Sequence, residues 1–233
     1  MTLLTTEIHL SPTAAYVVFA ADQCVLRNGC SQPGQQKVFR IDAIRAGIGF
    51  FGLAEIPAAL GTQRMDEFLR DFVGGISSRN SLNDVAQTLA KELNRLVPSE
   101  WILSERSGFH LAGFAADGIP EFWYIRNVDD QGQPTVGRYE PREEFRRAGH
   151  HSRRRTTVIG YRNGDLRAHI VAWKAIDDSL GRLLGHEEFR PVNSADGYRE
   201  WVKFKMELVA SFYARFSRVP LVAPPIDVFV LER

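Results

Sequence analysis

The chain has 233 residues, 44% of them hydrophobic, which suits a sizeable core and a single domain over 1–233. Lys and Arg number 29 against 28 Asp and Glu, so the net charge of +1 excludes the strong basic excess of a general nucleic-acid binder. Cys24 and Cys30 make neither a disulfide framework nor a metal-site pattern, and no apolar run reaches the roughly 18 residues of a membrane-spanning helix.

The first seven residues lack the positive start of a signal peptide, so a reduced, cytoplasmic setting is expected, with no membrane partner. Residues 2–10 and 16–21 read as two strands around the turn Ser11-Pro12-Thr13-Ala14. The second strand is apolar throughout and is expected to be buried on both faces. A polar loop follows, with Asn28-Gly29 and Pro33-Gly34 as breakers. Lys37 to Ile41 and residues 46–51 read as further strands. Ile56 to Val73 reads as a helix with Ile56, Leu60, Phe68, Leu69 and Phe72 on one face. Ser81 is a candidate cap for a second helix carrying Leu82, Val85, Leu89, Leu93 and Leu96, and Pro98 ends it.

Phe109–Ala115 and Glu121–Ile125 form a predicted hairpin through Asp117-Gly118. Residues 129–137 read as a loop and 140–155 as a charged, exposed stretch. Thr156–Tyr161 is a short predicted strand before Asn163-Gly164. Helices follow at about 166–184 and 196–216. The second carries Trp201, Phe204, Lys205, Leu208 and Phe212 at helical spacing, and of these Trp201, Phe204, Leu208 and Phe212 are read as core or subunit-contact residues. The last strand is residues 226–231. Strands in runs followed by helices in pairs argue against alternating βαβ units and for an α+β fold of two sheets between two helical layers.

Several of these pieces, in this order, resemble proteasome β-type subunits and their bacterial homologues, within the N-terminal-nucleophile hydrolases. The stretch Tyr16-Val17-Val18-Phe19-Ala20-Ala21-Asp22 resembles their second strand. Lys37-Val38-Phe39-Arg40-Ile41 resembles the lysine-led strand that follows, and Phe51-Gly52-Leu53-Ala54 resembles the glycine turn after it. The run from His110 to Tyr124 is similar to their middle hairpin, and Pro225 to Val230 to their final strand. The resemblance implies a four-layer αββα sandwich and a threonine-type peptidase that needs no cofactor or metal. It also implies a peptide or unfolded-protein substrate and a homo-oligomer, ring-like or open-helical.

In this class an N-terminal threonine attacks the peptide carbonyl and its own α-amine takes the proton. A free α-amine titrates at about 7.7–8.0 and is a usable base near neutral pH. Carried onto this chain, the resemblance assigns Asp22 as the orienting acid, Lys37 as the lysine and Gly52 as the oxyanion donor. Lysine occurs only at positions 37, 91, 174, 203 and 205, so an amine at 37 in an arginine-rich chain fits a need for a compact point charge. The usual threonine-to-aspartate spacing of the family selects Thr6. If Leu10 pairs with Ala15 across the turn, however, Thr6 faces Phe19 and Asp22 faces Leu3. Thr2, exposed by removal of Met1, then becomes the preferred nucleophile.

The chain departs from the family pattern before the last strand. The acidic and serine residues expected there are replaced by Pro220-Leu221-Val222-Ala223-Pro224-Pro225, and Tyr161 stands where a serine is expected. An assembled but inactive homologue is therefore the alternative reading. A third is a nucleotide-binding oxidoreductase, from the G-x-G-x-x-G of Gly47-Ile48-Gly49-Phe50-Phe51-Gly52 with Asp71 as its acid. His150-His151-Ser152-Arg153-Arg154-Arg155 reads as a solvated loop rather than a metal or phosphate patch.

Overall fold

A computed structural model describes residues 3–27, 30–32, 34–59, 61–128, 137–149, 157–164, 168–219 and 221–233. The strands are β1 (Leu3–Leu10), β2 (Ala15–Asp22), β3 (Val25–Arg27), β4 (Cys30–Gln32), β5 (Val38–Ile41), β6 (Ala46–Phe51), β7 (Glu55–Ala58) and β8 (Gly61–Arg64). After the helices α1 (Met65–Gly74), α2 (Leu82–Leu96) and α3 (Ser99–Ser104) come β9 (Gly108–Phe114), β10 (Pro120–Arg126), β11 (Glu140–Glu143) and β12 (Thr157–Gly164). A π-helical turn at Ala168–Trp173 leads into α4 (Lys174–Leu183), then α5 (Ala195–Phe216) and β13 (Ile226–Glu232).

Two antiparallel sheets carry the fold, in the strand orders β12-β1-β2-β13 and β11-β10-β9-β6-β5. The mixture of antiparallel sheets and helices is an α+β architecture. Strand alternation divides the core cleanly. Leu4, Ile8 and Leu10 of β1 and Val17, Phe19 and Ala21 of β2 pack with Val38, Phe51, Ala112 and Phe122 of the facing sheet. The opposite faces of β1 and β2 present Leu3, Val18 and Ala20 to Trp173 of the π-helical turn and to Ile176, Val202, Met206 and Val209 of the last two helices. On the far side of the five-stranded sheet, Ile48, Phe50, Phe109 and Leu111 pack against Leu69, Val85, Leu89 and Leu93 of α1 and α2.

β1 and β2 pair in the expected register, Leu10 with Ala15 and Thr6 with Phe19. The Asp117-Gly118 turn joins β9 to β10, with Gly118 at φ +70°. Ser81 caps α2 in a full capping box with Asp84. The reading of 56–73 as one helix is corrected. Glu55–Ala58 and Gly61–Arg64 form a hairpin, and the helix starts only at Met65. Pro57 and Gly61 (φ +118°) break the pattern, while Ile56 buries its side chain from a strand; Leu60 lies outside the described residues. The charged stretch after 140 also departs from expectation. It contains β11, and Phe145 is fully buried.

Within α5 the core face is Val202, Lys205, Met206, Val209, Ala210 and Tyr213. Phe204, Leu208 and Phe212 are exposed, so they are not core residues. The loop at 129–136, the segment His150 to Arg155, and Asn28, Gly29 and Pro33 all lie outside the described residues. Among the described residues no helix is long and apolar enough to cross a membrane.

Candidate active site

The ends of the strands decide where the named residues meet. In one sheet β1 starts, β2 ends, β12 ends and β13 starts at the same edge, as the pairs Leu3 with Gly164 and Ile226 with Asp22 require. In the facing sheet β5 starts, β6 ends, β9 starts and β10 ends together, through Val38 with Gly49, Phe51 with Gly108 and Arg126 with Gly108. Residues far apart in the chain therefore converge at one end of the paired sheets.

Asp22 closes β2 and is fully buried. Its Oδ1 accepts the Leu3 N–H at 2.7 Å and its Oδ2 accepts the Cys24 N–H at 3.1 Å. Lys37 enters from the facing sheet and is 2% exposed. Its Nζ lies 3.6 Å from Asp22 Oδ1 and donates to the Cys24 carbonyl. The Phe50 N–H bonds the Lys37 carbonyl at 3.0 Å and ties the lysine backbone to β6. Burial pushes the Asp22 carboxyl up, against the pull of Lys37 and the two N–H donors. Burial likewise pulls the Lys37 amine down, against the favourable field of Asp22.

Gly52 follows β6 in the left-handed region at φ +85°. A Cβ there would collide with the Arg106 carbonyl oxygen and with Ser107, so only glycine fits. The same run of glycines does not form a dinucleotide fingerprint. Gly47 to Phe51 lie inside β6, and the β7–β8 hairpin intervenes before the first helix. The Cβ positions of Gly47 and Gly49 are already filled by Phe229 and Phe19, and by Leu4, so these glycines serve close approach of the two sheets.

The structure thus brings Asp22 and Lys37 into contact at the end of the sheets where Gly52 also stands. Thr2 lies outside the described residues. Thr6 is mid-strand, paired with Phe19 on one side and Tyr161 on the other, and fully buried. Tyr161 is not at the end of the sheets where Asp22 and Lys37 meet. It sits level with Thr6 and stacks on Phe122 with ring centroids 3.6 Å apart.

Three groups escaped the sequence reading. Asp227, on β13, accepts both bonds of the Gln23 amide at 2.9 Å and contributes to the field at Lys37. Burial raises its carboxyl, opposed by the Gln23 amide and by Lys37. A second carboxylate is therefore present at this end, two residues after the Pro220–Pro225 stretch that lacks one.

The second group is a polar chain between the sheets. Thr6 Oγ1 lies 3.0 Å from His110 Nδ1, and His110 Nε2 lies 2.5 Å from Asn163 Oδ1. The His110 ring is fully buried among Phe51, Phe122 and Tyr124. The third lies under the last two helices. Glu7 Oε1 accepts from Lys205 Nζ at 3.1 Å, Trp173 Nε1 at 3.2 Å and Arg162 at 3.4 Å, while Oε2 meets His9 Nε2 at 3.2 Å. Lys205 also reaches Asp177 at 3.0 Å and sits 4.5 Å from the Trp173 ring centroid. Burial alone would raise Glu7, but His9, Lys205 and Arg162 together hold its carboxyl well below the usual carboxylate range. The alternation Thr5, Glu7, His9 on one face of a fully buried strand is the sequence signal that points to such a partner set.

Among the described residues, no three His, Cys, Asp or Glu side chains converge as a metal site. No protein-family model matches the chain. A search of curated proteins gives no match either.

Proposed function

We propose that the chain is a threonine-type N-terminal-nucleophile amide hydrolase, a proteasome-like peptidase with the four-layer αββα arrangement of that class. The observation that carries this reading is the buried Asp22–Lys37 pair, set 3.6 Å apart at the end of the sheets where β1 begins. A buried lysine with a single carboxylate in contact is a weak stabilising device. It is an effective way to hold a positive charge beside an amine that must lose its proton.

In this reading Thr2 supplies the hydroxyl and, once Met1 is removed, the α-amine that takes its proton. The even positions of β1, Leu4 to Leu10, face the space between the sheets. Asp22 anchors the strand through the Leu3 N–H and orients Lys37. The left-handed turn at Gly52 aims backbone N–H toward the carbonyl oxygen as it becomes an oxyanion. The amine then protonates the leaving nitrogen, and water releases the acyl group by the reverse path. The substrate is a peptide or unfolded protein. A second copy of the chain is the partner, met through the exposed apolar ridge Phe204, Leu208, Phe212 and Phe216 of α5.

The test is intact mass before and after a threonine-directed electrophile. Loss of Met1 and a single adduct in the wild type, with none in Thr2→Ala, is the expected result. Full retention of Met1 rules the reading out, and an adduct undiminished in Thr2→Ala moves the nucleophile elsewhere. The second reading is an assembled but inactive relative. It is favoured by the stretch Pro220 to Pro225, which offers no hydroxyl or acid. Oligomers that lose Met1 and hydrolyse no peptide would establish it.

A further inference from the structure

The β7–β8 hairpin joins neither large sheet. Two strands alone are marginal in water, and a third strand is the usual remedy. The phase of its ladder follows from one contact at its base, where the Met65 N–H donates to the Ala54 carbonyl at 2.9 Å. The register pairs Glu55 with Arg64, so Ala54 and Met65 are the next pair along. Alternate pairs of an antiparallel ladder exchange bonds, so Ile56 with Gln63 and Ala58 with Gly61 bond inward. Glu55, Pro57, Thr62 and Arg64 therefore turn their main-chain groups outward.

The two outer edges differ. Pro57 has no N–H to offer, which blunts the edge of β7. The edge of β8 carries no such block. Thr62 is exposed, and among the described residues nothing bonds its N–H, its carbonyl or the Arg64 N–H. The Arg64 carbonyl belongs to the first turn of α1, which Arg64 precedes as N-cap. A buried acceptor beside this edge also lacks a donor. Gln35 is 5% exposed and gives its amide N–H to the Ala54 carbonyl at 3.1 Å, but its Oε1 has no partner. The Arg64 guanidinium fastens the two together, bonding the Gly34 carbonyl at 3.1 Å and Asp66 at 2.8 Å.

These ties say what the edge is for. Gln35 stands two residues before Lys37, and its N–H bonds the carbonyl of Gln23, next to Asp22, at 3.0 Å. Ala54 stands two residues after Gly52. The base of the hairpin is thus joined to the segments of Asp22, Lys37 and Gly52 alike. Resting on the peptidase reading for its occupant, we propose that an extended polypeptide adds to the free edge of β8 as a third strand. Its main chain supplies the acceptors that the Thr62 and Arg64 N–H groups lack and a donor for the Thr62 carbonyl. An N–H donor is also what Gln35 Oε1 lacks. Main-chain pairing of this kind gives affinity without demanding one side-chain sequence, which suits an unfolded protein.

Thr62→Pro removes an outward N–H and no bond of the hairpin itself, whereas Thr62→Ala trims the side chain and keeps the N–H. The experiment measures binding of fluorescein-labelled, reduced and carboxymethylated lactalbumin by anisotropy. It uses the full-length chain carrying Thr2→Ala, so that binding is read without turnover, alone and with each Thr62 substitution. Binding is expected to weaken about tenfold in Thr62→Pro, the size of one lost main-chain hydrogen bond, and to stay unchanged in Thr62→Ala. Deuterium uptake over residues 61–64 of the chain with native Thr62 is expected to slow when the polypeptide is added, a readout that needs no proline. Equal binding by both Thr62 variants, or uptake that does not change, overturns the proposal. Sedimentation showing that Thr62→Pro breaks up an oligomer also overturns it, since the edge then joins two copies of the chain. Hydrolysis is assayed separately with native Thr2. A chain that cuts no peptide but shows the expected binding pattern loses the peptidase reading and keeps the polypeptide edge.

Discussion

Asp22 and Lys37 would each be unstable in the interior alone, and the fold tolerates them because they face one another at 3.6 Å. Removing one partner leaves the other buried and uncompensated, so Asp22→Asn or Lys37→Met alone should cost about 3–5 kcal/mol. The double variant should recover most of that loss. Their pH behaviour follows from opposite shifts. Asp22 is raised from 3.8, so its contribution is full below that value and is lost as pH rises through the raised value. Lys37 is lowered from 10.5, so its contribution is full above that value and is lost as pH falls through the lowered one. The pair therefore favours the fold least between the two. Denaturant melts from acid to alkaline pH should be flatter through neutrality in the double variant than in the wild type. A wild-type profile already flat there would show that burial does not perturb the pair. These two residues were legible only through the resemblance of the segments that carry them, Tyr16 to Asp22 and Lys37 to Ile41. Asp227 was not, since nothing local sets a carboxylate in a terminal strand apart from a solvated one.

β1 works as an element with two unlike faces. Its even positions pack between the sheets, while Thr5, Glu7 and His9 point toward the last two helices. Glu7 anchors that face through Lys205, Trp173, Arg162 and His9. Because its folded-state carboxyl is held below the ordinary value of 4.5, its stabilisation is present above that value and lost as pH falls below it. Glu7→Gln should remove this acid-side loss and lower stability at pH 7 by about 3–5 kcal/mol, since Lys205 remains buried without its carboxylate. Thermal melts of both proteins between pH 7 and acid check this; parallel curves would mean that Glu7 is not the titrating group. The partner of Glu7 lies 198 residues away along the chain. No periodicity reports a contact of that range, and Lys205 reads from sequence as one more helical lysine.

At the scale of the molecule, α5 carries an apolar face that neither sheet covers. Phe212 and Phe216 remain 60% and 73% exposed, in line with Phe204 and Leu208 at i, i+4 spacing. Residues so spaced form a continuous ridge suited to packing against another helix. With self-association proposed, Phe212→Glu with Phe216→Glu should reduce the assembly to monomer in sedimentation. Melting of the isolated monomer should change by no more than about 0.5 kcal/mol per substitution, as neither side chain is in the core. Assembly unchanged by both substitutions would place the contact elsewhere.

The Asp117-Gly118 hairpin, the Ser81 cap and the β1–β2 register were determined by local pattern, because alternation, turn chemistry and capping act over a few residues, whereas the short strands β3, β4 and β11 and the helix α3 carried no signal that the sequence reading caught. The same local reasoning ran Ile56 to Val73 together as one helix. A buried isoleucine fits either periodicity, and Pro57 and Gly61 carried the better signal. Asp22, Lys37 and Gly52 could be named from sequence, but that Asp22 meets Lys37, and that Gly52 stands at the same end, was decided by how eight strand ends align. Asn163 marks the boundary most clearly. Its Asn-Gly context reads as the break after a strand, whereas β12 runs through it to Gly164. Only the facing sheet supplies the histidine that turns that asparagine inward, because a hydrogen bond between sheets depends on their stacking and not on either segment alone.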